Sequence, residues 1–291
     1  MAAKKPRLGI IGAGRVGTAL AMNFSGRGYA VVAVASRSVA SSRKLVRRIR
    51  GARATSSLQE VADRAELVFI TVPDDAIEAV ASRIRWRAGA ACVHCSGAGD
   101  LDLLIGAAAQ GARVGGFHPL RMFGEPGKSI DMRGCAVAIA GSDALARELE
   151  RLARAIGARP LRLPGGGRAL YHAAANFSGA FVVALIAETV ALWKKLGIAE
   201  KDALRALLPL LRGSVDNVEK LGAAGALGSV IARGDAGTIR RHLEALAQAA
   251  PESLELYRLL SLRTIPLALA KGTLKPGAAK RIEALLHAGG H

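Results

Sequence analysis

Short runs of apolar and β-branched residues recur along the first half of the chain, and between them apolar residues fall at helical spacing. The runs at 7–11, 31–35, 67–72, 91–95 and 114–117 predict strands, with further strands at 135–140 and 159–163. Stretches 16–25, 38–50 and 145–156 predict helices among them. Most of the runs are apolar at consecutive positions instead of alternating with polar ones, the pattern of strands buried on both faces of a parallel sheet. Strands and helices alternating in this way make βαβ units.

Pro164-Gly165-Gly166-Gly167 ends the alternation. Beyond it Ala and Leu dominate, residues that favour helix, and no strand pattern recurs. Breaks at Gly197, Gly213, Gly222 to Gly228, Gly234 and Pro251 divide this half into roughly five helices. The first, 168–195, is long for a globular domain, and a helix of that kind forms the spine of a domain or a dimer interface. Two domains are therefore expected, 1–163 and 164–291.

Composition narrows the setting. Hydrophobic residues make up 51% of the chain, yet no uninterrupted run approaches the roughly 20 apolar residues of a bilayer span, so a soluble protein is expected. The apolar stretch near the N-terminus is interrupted by Gly9, Gly12, Gly14, Gly17 and Arg15, which is no signal-peptide core and points to the cytoplasm. Three cysteines, an odd number, fit a reducing compartment better than a disulfide framework. Cys92 and Cys95 have C-x-x-C spacing, but residues three apart on a strand face opposite sides, and zinc would need two further ligands; no metal is expected. The formal charge of +18 raises nucleic acid as a partner. The densest cluster, Arg43, Lys44, Arg47, Arg48 and Arg50, has no aromatic stacking platform, and aromatics are only 4% of the chain, so an anionic cofactor and solvated arginines account better for the charge.

Chemistry enters with Gly12-Ala13-Gly14-Arg15-Val16-Gly17, a G-x-G-x-x-G placed where the first strand ends and a helix begins. Gly12 permits the tight turn, Gly14 lets the backbone approach a pyrophosphate, and Gly17 lets helix and strand pack closely. The helix N-terminus adds unpaired N–H groups and the positive end of a dipole. These residues predict an α/β protein whose N-terminal domain is a Rossmann dinucleotide-binding domain, followed by an all-α domain. At the end of the second strand an NAD-binding protein carries an acid for the ribose hydroxyl, but this chain has Ser36-Arg37-Ser38, which suits the 2′-phosphate of NADP(H). Val72-Pro73-Asp74 follows the strand at 67–72 and either walls the cofactor or simply starts a helix.

Six motifs in order carry a family resemblance: the glycine turn, Val72-Pro73-Asp74-Asp75, His94-Cys95-Ser96-Gly97, Phe117-His118-Pro119-Leu120, Tyr171-His172-Ala173-Ala174-Ala175-Asn176 and Ile231-Ala232-Arg233-Gly234-Asp235. Together they resemble bacterial Rossmann-like proteins with a C-terminal helical domain of unknown function. That group lies in the superfamily of 6-phosphogluconate dehydrogenase, ketopantoate reductase and pyrroline-5-carboxylate reductase. The resemblance implies a C-terminal domain of the 6-phosphogluconate dehydrogenase type that closes the active site and forms a homodimer. It makes Arg233-Gly234-Asp235 a loop between helices.

In the hydroxyacid dehydrogenases of that superfamily a lysine and, four residues on, an asparagine contact the reacting group. The pair at that spacing here is His172 and Asn176, on one helix face. The lysine is absent, but a histidine titrates in the range useful for proton transfer. The resemblance therefore implies hydride transfer between NADP(H) and a small carbonyl, hydroxy acid or imine. His172 would be general acid, Asn176 would orient the substrate, and His118, held extended by Pro119, is the alternative donor. Ser96 and Gly97 would meet a substrate carboxylate. A non-catalytic NADP(H)-binding sensor or scaffold is the rival reading, since fold does not determine function, and a deazaflavin is a conceivable redox partner.

Overall fold

The computed structural model describes residues 5–124 and 131–288. Its chain forms two compact units, residues 1–179 and 180–291.

The first unit is built on eight strands: β1 Leu8–Ile11, β2 Val31–Ala35, β3 Arg53–Thr55, β4 Leu67–Ile70, β5 Ala91–His94, β6 Arg113–Leu120, β7 Ala136–Gly141 and β8 Arg159–Arg162. They lie in one sheet in the order β3-β2-β1-β4-β5-β6-β7-β8. All neighbours are parallel except β6 and β7, which run antiparallel. Seven helices belong to this unit: α1 Arg15–Gly26, α2 Val39–Val46, α3 Leu58–Arg64, α4 Ile77–Ser82, α5 Ile105–Ala108, α6 Asp143–Ala155 and α7 Arg168–Ser178. β1, β4 and β5 are buried at every position, as their unbroken apolar sequence requires. Each face of the sheet has its own core. One gathers Leu8, Ile10, Phe24, Phe69, Phe117 and Leu149, the other Ile11, Val68, Ile70, Ile77 and Cys92. Cys92 and Cys95 fall in opposite cores, as their spacing on an extended chain predicts. Between β1 and β4 the strand order reverses, and open α/β sheets bind ligands at the carboxyl ends of the strands at such a point.

The second unit holds α8 Ala180–Lys195, α9 Glu200–Ala226, α10 Ala236–Ala249, α11 Pro251–Ala270 and α12 Pro276–His287. With α7, six described helices fall in the half where the glycine and proline punctuation gave roughly five; Gly213 lies inside α9 and does not end a helix, whereas Gly222 has a non-helical backbone within it. Its core includes Ile231, Ile239, Ile265 and Ile282. Asp235 of the Arg233-Gly234-Asp235 triplet caps α10, its carboxylate accepting from the backbone N–H of Thr238 at 2.9 Å. The triplet is thus a helix-starting loop.

Four details differ from the sequence reading. β3 is a three-residue edge strand, partly exposed, and too short to produce a hydrophobic pattern. The helix expected at 38–50 ends at Val46, because the chain turns through 47–51 to seat Ile49 in the core. The long helix expected at 168–195 is interrupted at Gly179, whose φ of −114° and ψ of −93° are not helical. The compact units divide there, so that α7 stays with the sheet, whereas the sequence placed the boundary before it. By length and apolar content Arg168–Lys195 also meets the criterion for a membrane span, which a count of uninterrupted apolar residues does not reveal.

Phe24 on α1 is wholly buried, stacked on Phe69 at 5.5 Å and tilted against Phe117 at 6.3 Å. Truncating it removes the aromatic bridge between helix and sheet. Phe24→Ala is expected to lower unfolding stability by about 3–5 kcal/mol, read as a shifted midpoint in urea denaturation. A loss within about 1 kcal/mol would show that the site collapses around the missing ring.

Candidate active site

The glycine turn between β1 and α1 is shaped by close packing. Gly12 has φ +111°, and a Cβ there would sit 2.6 Å from the carbonyl oxygen of Thr71. A Cβ on Gly17 would overlap the carbonyl oxygen of Gly12. The Thr71 hydroxyl lies 2.7 Å from that same carbonyl and donates to it, tying the turn to the end of β4. Gly14 is different, since a Cβ there would meet nothing within 4 Å. Gly12 and Gly17 are therefore needed for packing, while Gly14 borders open space beside Ala13, Arg15 and Val16. No acidic residue stands in the first turn of α1, and no side chain caps it. Its amino end is free to receive an anion.

Ile11 pairs with Ala35, so the residues that follow β2 lie beside the glycine turn. Of these, Ser36 is half-buried, and Arg37 is exposed and makes no ion pair among the described residues. Ser38 caps α2, its hydroxyl oxygen accepting from the Ser41 N–H at 3.3 Å. After β4, Pro73 introduces a short 3₁₀ turn, Asp74–Ala76. Asp74 accepts from the Ser96 hydroxyl at 2.5 Å, and the Ser96 oxygen accepts from the Gly99 N–H at 2.7 Å. The Ser96 side chain is thus fully engaged in shaping the turn after β5.

Beyond that turn lies a cluster of polar groups. Gly97 is overhung by two imidazoles: a Cβ there would overlap Cδ2 of His172 and lie 2.9 Å from Nε2 of both His118 and His172. The two rings meet edge to face with centroids 5.7 Å apart. Nδ1 of His118 is 3.1 Å from the Tyr171 hydroxyl. Asn176, one turn beyond His172, donates from Nδ2 to the His172 carbonyl at 3.3 Å.

Arg168 starts α7 and is 1% exposed. Its Nη2 donates to the Ser96 carbonyl, while Nε and Nη1 have no partner among the described residues. A Cβ on Gly116 would lie 2.8 Å from Nη1, so a larger residue at that place in β6 would push the guanidinium aside. His94, opposite Gly116 on β5, is wholly buried and accepts from the Ser96 N–H at Nδ1, at 3.2 Å. That bond leaves the proton of the neutral ring on Nε2. Burial, assisted by the nearby Arg168 cation, lowers the pKa of His94 to about 4. His118 is lowered to about 4 by burial, Arg168 and His172. Arg168, His94 and Tyr171 carried no individual signal in the sequence. Tyr171 and His94 stood inside quoted motifs, but nothing in their spacing indicated these contacts.

A glycine turn at the switch point of a doubly wound sheet, with histidines at the same carboxyl edge, is the arrangement of an α/β protein of the Rossmann class. Residues 2–119 match the model of a Rossmann-like domain, and residues 135–264 match that of a domain of unknown function, DUF2520. The two matches follow one another along the chain, and the second begins at β7, taking in the last two strands of the sheet as well as helices. A solved structure from Bacteroides fragilis named "putative NADP oxidoreductase BF3122" is 28% identical, with a TM-score of 0.72 over 90% of this chain and 98% of that one. Protein TM1727 of Thermotoga maritima is 23% identical, with a TM-score of 0.71 over 91% of this chain and 99% of that one. A reductive aminase from Aspergillus terreus, solved with NADPH and ethyl-5-oxohexanoate, shares the fold at 20% identity and a TM-score of 0.61, over 97% of this chain and 93% of that one. No curated protein matches the sequence.

The two lowered histidines make stability depend on pH in one direction. In the unfolded chain each takes a proton near 6.5, whereas in the fold each resists until about 4. Their contribution is complete above pH 6.5 and is lost as pH falls toward 4, by roughly 1.4 kcal/mol per pH unit for each ring. Urea unfolding between pH 7.5 and 4.5 should show this slope, and His94→Gln should flatten it. A slope unchanged by His94→Gln would mean that this ring takes its proton in the folded protein as readily as in the unfolded chain.

Proposed function

We propose that this protein is an NADP(H)-dependent oxidoreductase that transfers hydride between the nicotinamide and a small carbonyl, hydroxy acid or imine. The observation that carries the reading is the pairing of an open glycine cradle with two histidines over one glycine at the carboxyl edge of the same sheet. The 28% identical Bacteroides structure bears the name of a putative NADP oxidoreductase, and more distant neighbours of the same fold were solved with NADPH and ethyl-5-oxohexanoate or, in an imine reductase, with NADPH4 and dibenz[c,e]azepine.

The residues fit the cofactor. Backbone N–H groups of Ala13, Gly14, Arg15, Val16 and Gly17 receive the pyrophosphate at the start of α1, while Gly12, whose own N–H donates to the Ala35 carbonyl at 2.8 Å, shapes the turn that brings them to it. Exposed Arg37 and half-buried Ser36 receive the 2′-phosphate; Ser38, occupied as the cap of α2, supports the loop. Val72 and Pro73 border the cofactor, and Asp74 holds Ser96. The bound cofactor supplies the hydride. The chain supplies the proton from one of the two histidines over Gly97, His118 or His172, and Asn176 orients the substrate. A substrate carboxylate would not find a free Ser96 hydroxyl proton, because Asp74 holds it. A pair of acid–base groups is more than a sensor or scaffold for NADP(H) needs.

The apolar side chains exposed on the second unit, among them Val183 on α8 and Leu210 and Val215 on α9, support a homodimer through that unit. Three free, buried cysteines support a cytoplasmic setting.

Titration with NADPH and with NADH, followed by nicotinamide fluorescence, tests the assignment. Arg37→Ala is expected to weaken NADPH by roughly tenfold to a hundredfold and to leave NADH nearly unchanged. An equal loss for both removes Arg37 from the phosphate site, and a protein that binds neither dinucleotide is not an oxidoreductase of this kind.

A further inference from the structure

Three observations in the first unit converge on the question of which group moves the proton. The imidazole of His118 is a bridge: Nδ1 lies 3.1 Å from the Tyr171 hydroxyl, while Nε2 faces the space over Gly97. His172 shares that space, but its ring nitrogens have no hydrogen-bond partner among the described residues. One turn before His172 on α7, the buried guanidinium of Arg168 keeps two nitrogens unpartnered, over the β6 residue two before His118. We propose that Tyr171 and His118 form a proton relay, in which the Tyr171 hydroxyl holds His118 as its Nε2–H tautomer and resupplies the proton that His118 delivers to the substrate. Arg168 is the countercharge of that relay. The inference rests on the oxidoreductase reading of the preceding subsection.

The need for a relay follows from the charge of the ring. A half-buried imidazole beside a guanidinium starts the reaction neutral, so its only acidic proton is the one on nitrogen. Giving that proton away unaided would leave an imidazolate, which is too basic to form at neutral pH. A second proton arriving at Nδ1 removes the difficulty. In the reducing direction hydride from NADPH adds to the carbonyl carbon and the C=O π pair moves to oxygen. The oxygen takes the proton from Nε2, Nδ1 takes the proton of the Tyr171 hydroxyl, and the neutral ring is restored as its other tautomer. The negative charge ends as a phenolate on Tyr171, in the field of Arg168, until Nδ1 returns its proton to the phenolate as Nε2 takes one from water. The sum is carbonyl, hydride and one proton to alcohol, and an imine gives the amine by the same count.

Burial raises the pKa of the Tyr171 hydroxyl and Arg168 opposes that rise. The tyrosine therefore rests as a phenol, able to donate to Nδ1, and ionises only as the ring gives up its other proton. His172 has no such second group, so it is assigned to contact the substrate and His118 to deliver the proton. Tyr171 acts through His118 and is a positioning residue.

The test is the tautomer itself, read on the full-length protein labelled with ¹⁵N-histidine at pH 7 by long-range ¹H–¹⁵N correlation. The His118 signals are those missing from His118→Gln. The wild-type ring is expected to carry its proton on Nε2. Tyr171→Phe is expected to move the Nδ1 resonance toward that of a free, exchanging ring and to lower NADPH-dependent reduction of cyclohexanone or a cyclic imine by about a hundredfold, with NADPH binding unchanged by fluorescence titration. A wild-type ring protonated on Nδ1, or one whose resonances ignore Tyr171→Phe, overturns the relay whatever the activity. The NADPH titration on the same samples separates the two failures. A protein that binds NADPH but shows the wrong tautomer loses only the relay, and one that does not bind NADPH loses the oxidoreductase reading along with it.

Discussion

The contact on which the site depends is a buried cation against a backbone carbonyl. Arg168 enters the first unit at the start of α7 and donates to the carbonyl of Ser96, just after β5. Taking a guanidinium out of water costs several kcal/mol, and this one is 1% exposed with two of its nitrogens unpartnered. Asp100 and Asp74 offset part of that cost through their charge. Gly116 gives the guanidinium its room, since a Cβ there would lie 2.8 Å from Nη1 and displace it. With the arginine anchored there, α7 brings Tyr171 to His118 and His172 over Gly97.

The same charge tunes its neighbours. His94 and His118 would each gain a proton near neutrality in water, but burial and the adjacent cation keep both rings neutral. Neutral imidazoles are directional groups, with one nitrogen donating and the other accepting. At His94 the accepting nitrogen faces the Ser96 N–H, which stiffens the turn after β5. At His118 one nitrogen faces a phenol and the other faces the open space of the site. A cation buried among neutral rings thus holds a set of hydrogen-bond directions that solvated histidines would lose by exchange with water.

The cofactor side is organised by steric contact instead of charge. Gly12 and Gly17 approach each other and Thr71 so closely that no side chain fits at either position, while Gly14 faces open space. The Thr71 hydroxyl ties the turn to β4, so that the cradle and the turn after β5 rise from the same edge of the sheet. Cradle and histidine cluster lie in one compact unit and are held by different forces.

Much of this architecture was legible in the chain itself. Buried strands announce themselves by consecutive apolar residues, because both faces are covered, and a strand–glycine–helix junction announces a phosphate cradle, because each glycine answers a local steric demand. That is why seven strands, the cradle, the loop around Arg37 and the helical second half could be placed from the sequence. Edge strand β3 was invisible, since three partly exposed residues carry no period, and α2 and the helix through Gly179 were read too long, because helical spacing does not register where tertiary packing bends the chain. The family motifs marked His118, His172, Asn176 and Ser96, but not their partners. The Ser96 hydroxyl, read as a substrate contact, is held by Asp74. Arg168 and Tyr171 looked like ordinary helix residues, because the contacts that define them lie about fifty residues or more away along the chain. Local sequence by itself determined the elements and the cradle, whose physics is confined to neighbouring residues. Only the tertiary structure decided which histidine faces a phenol, which serine is occupied and where a cation is buried, since these depend on groups brought together from separate strands and a helix.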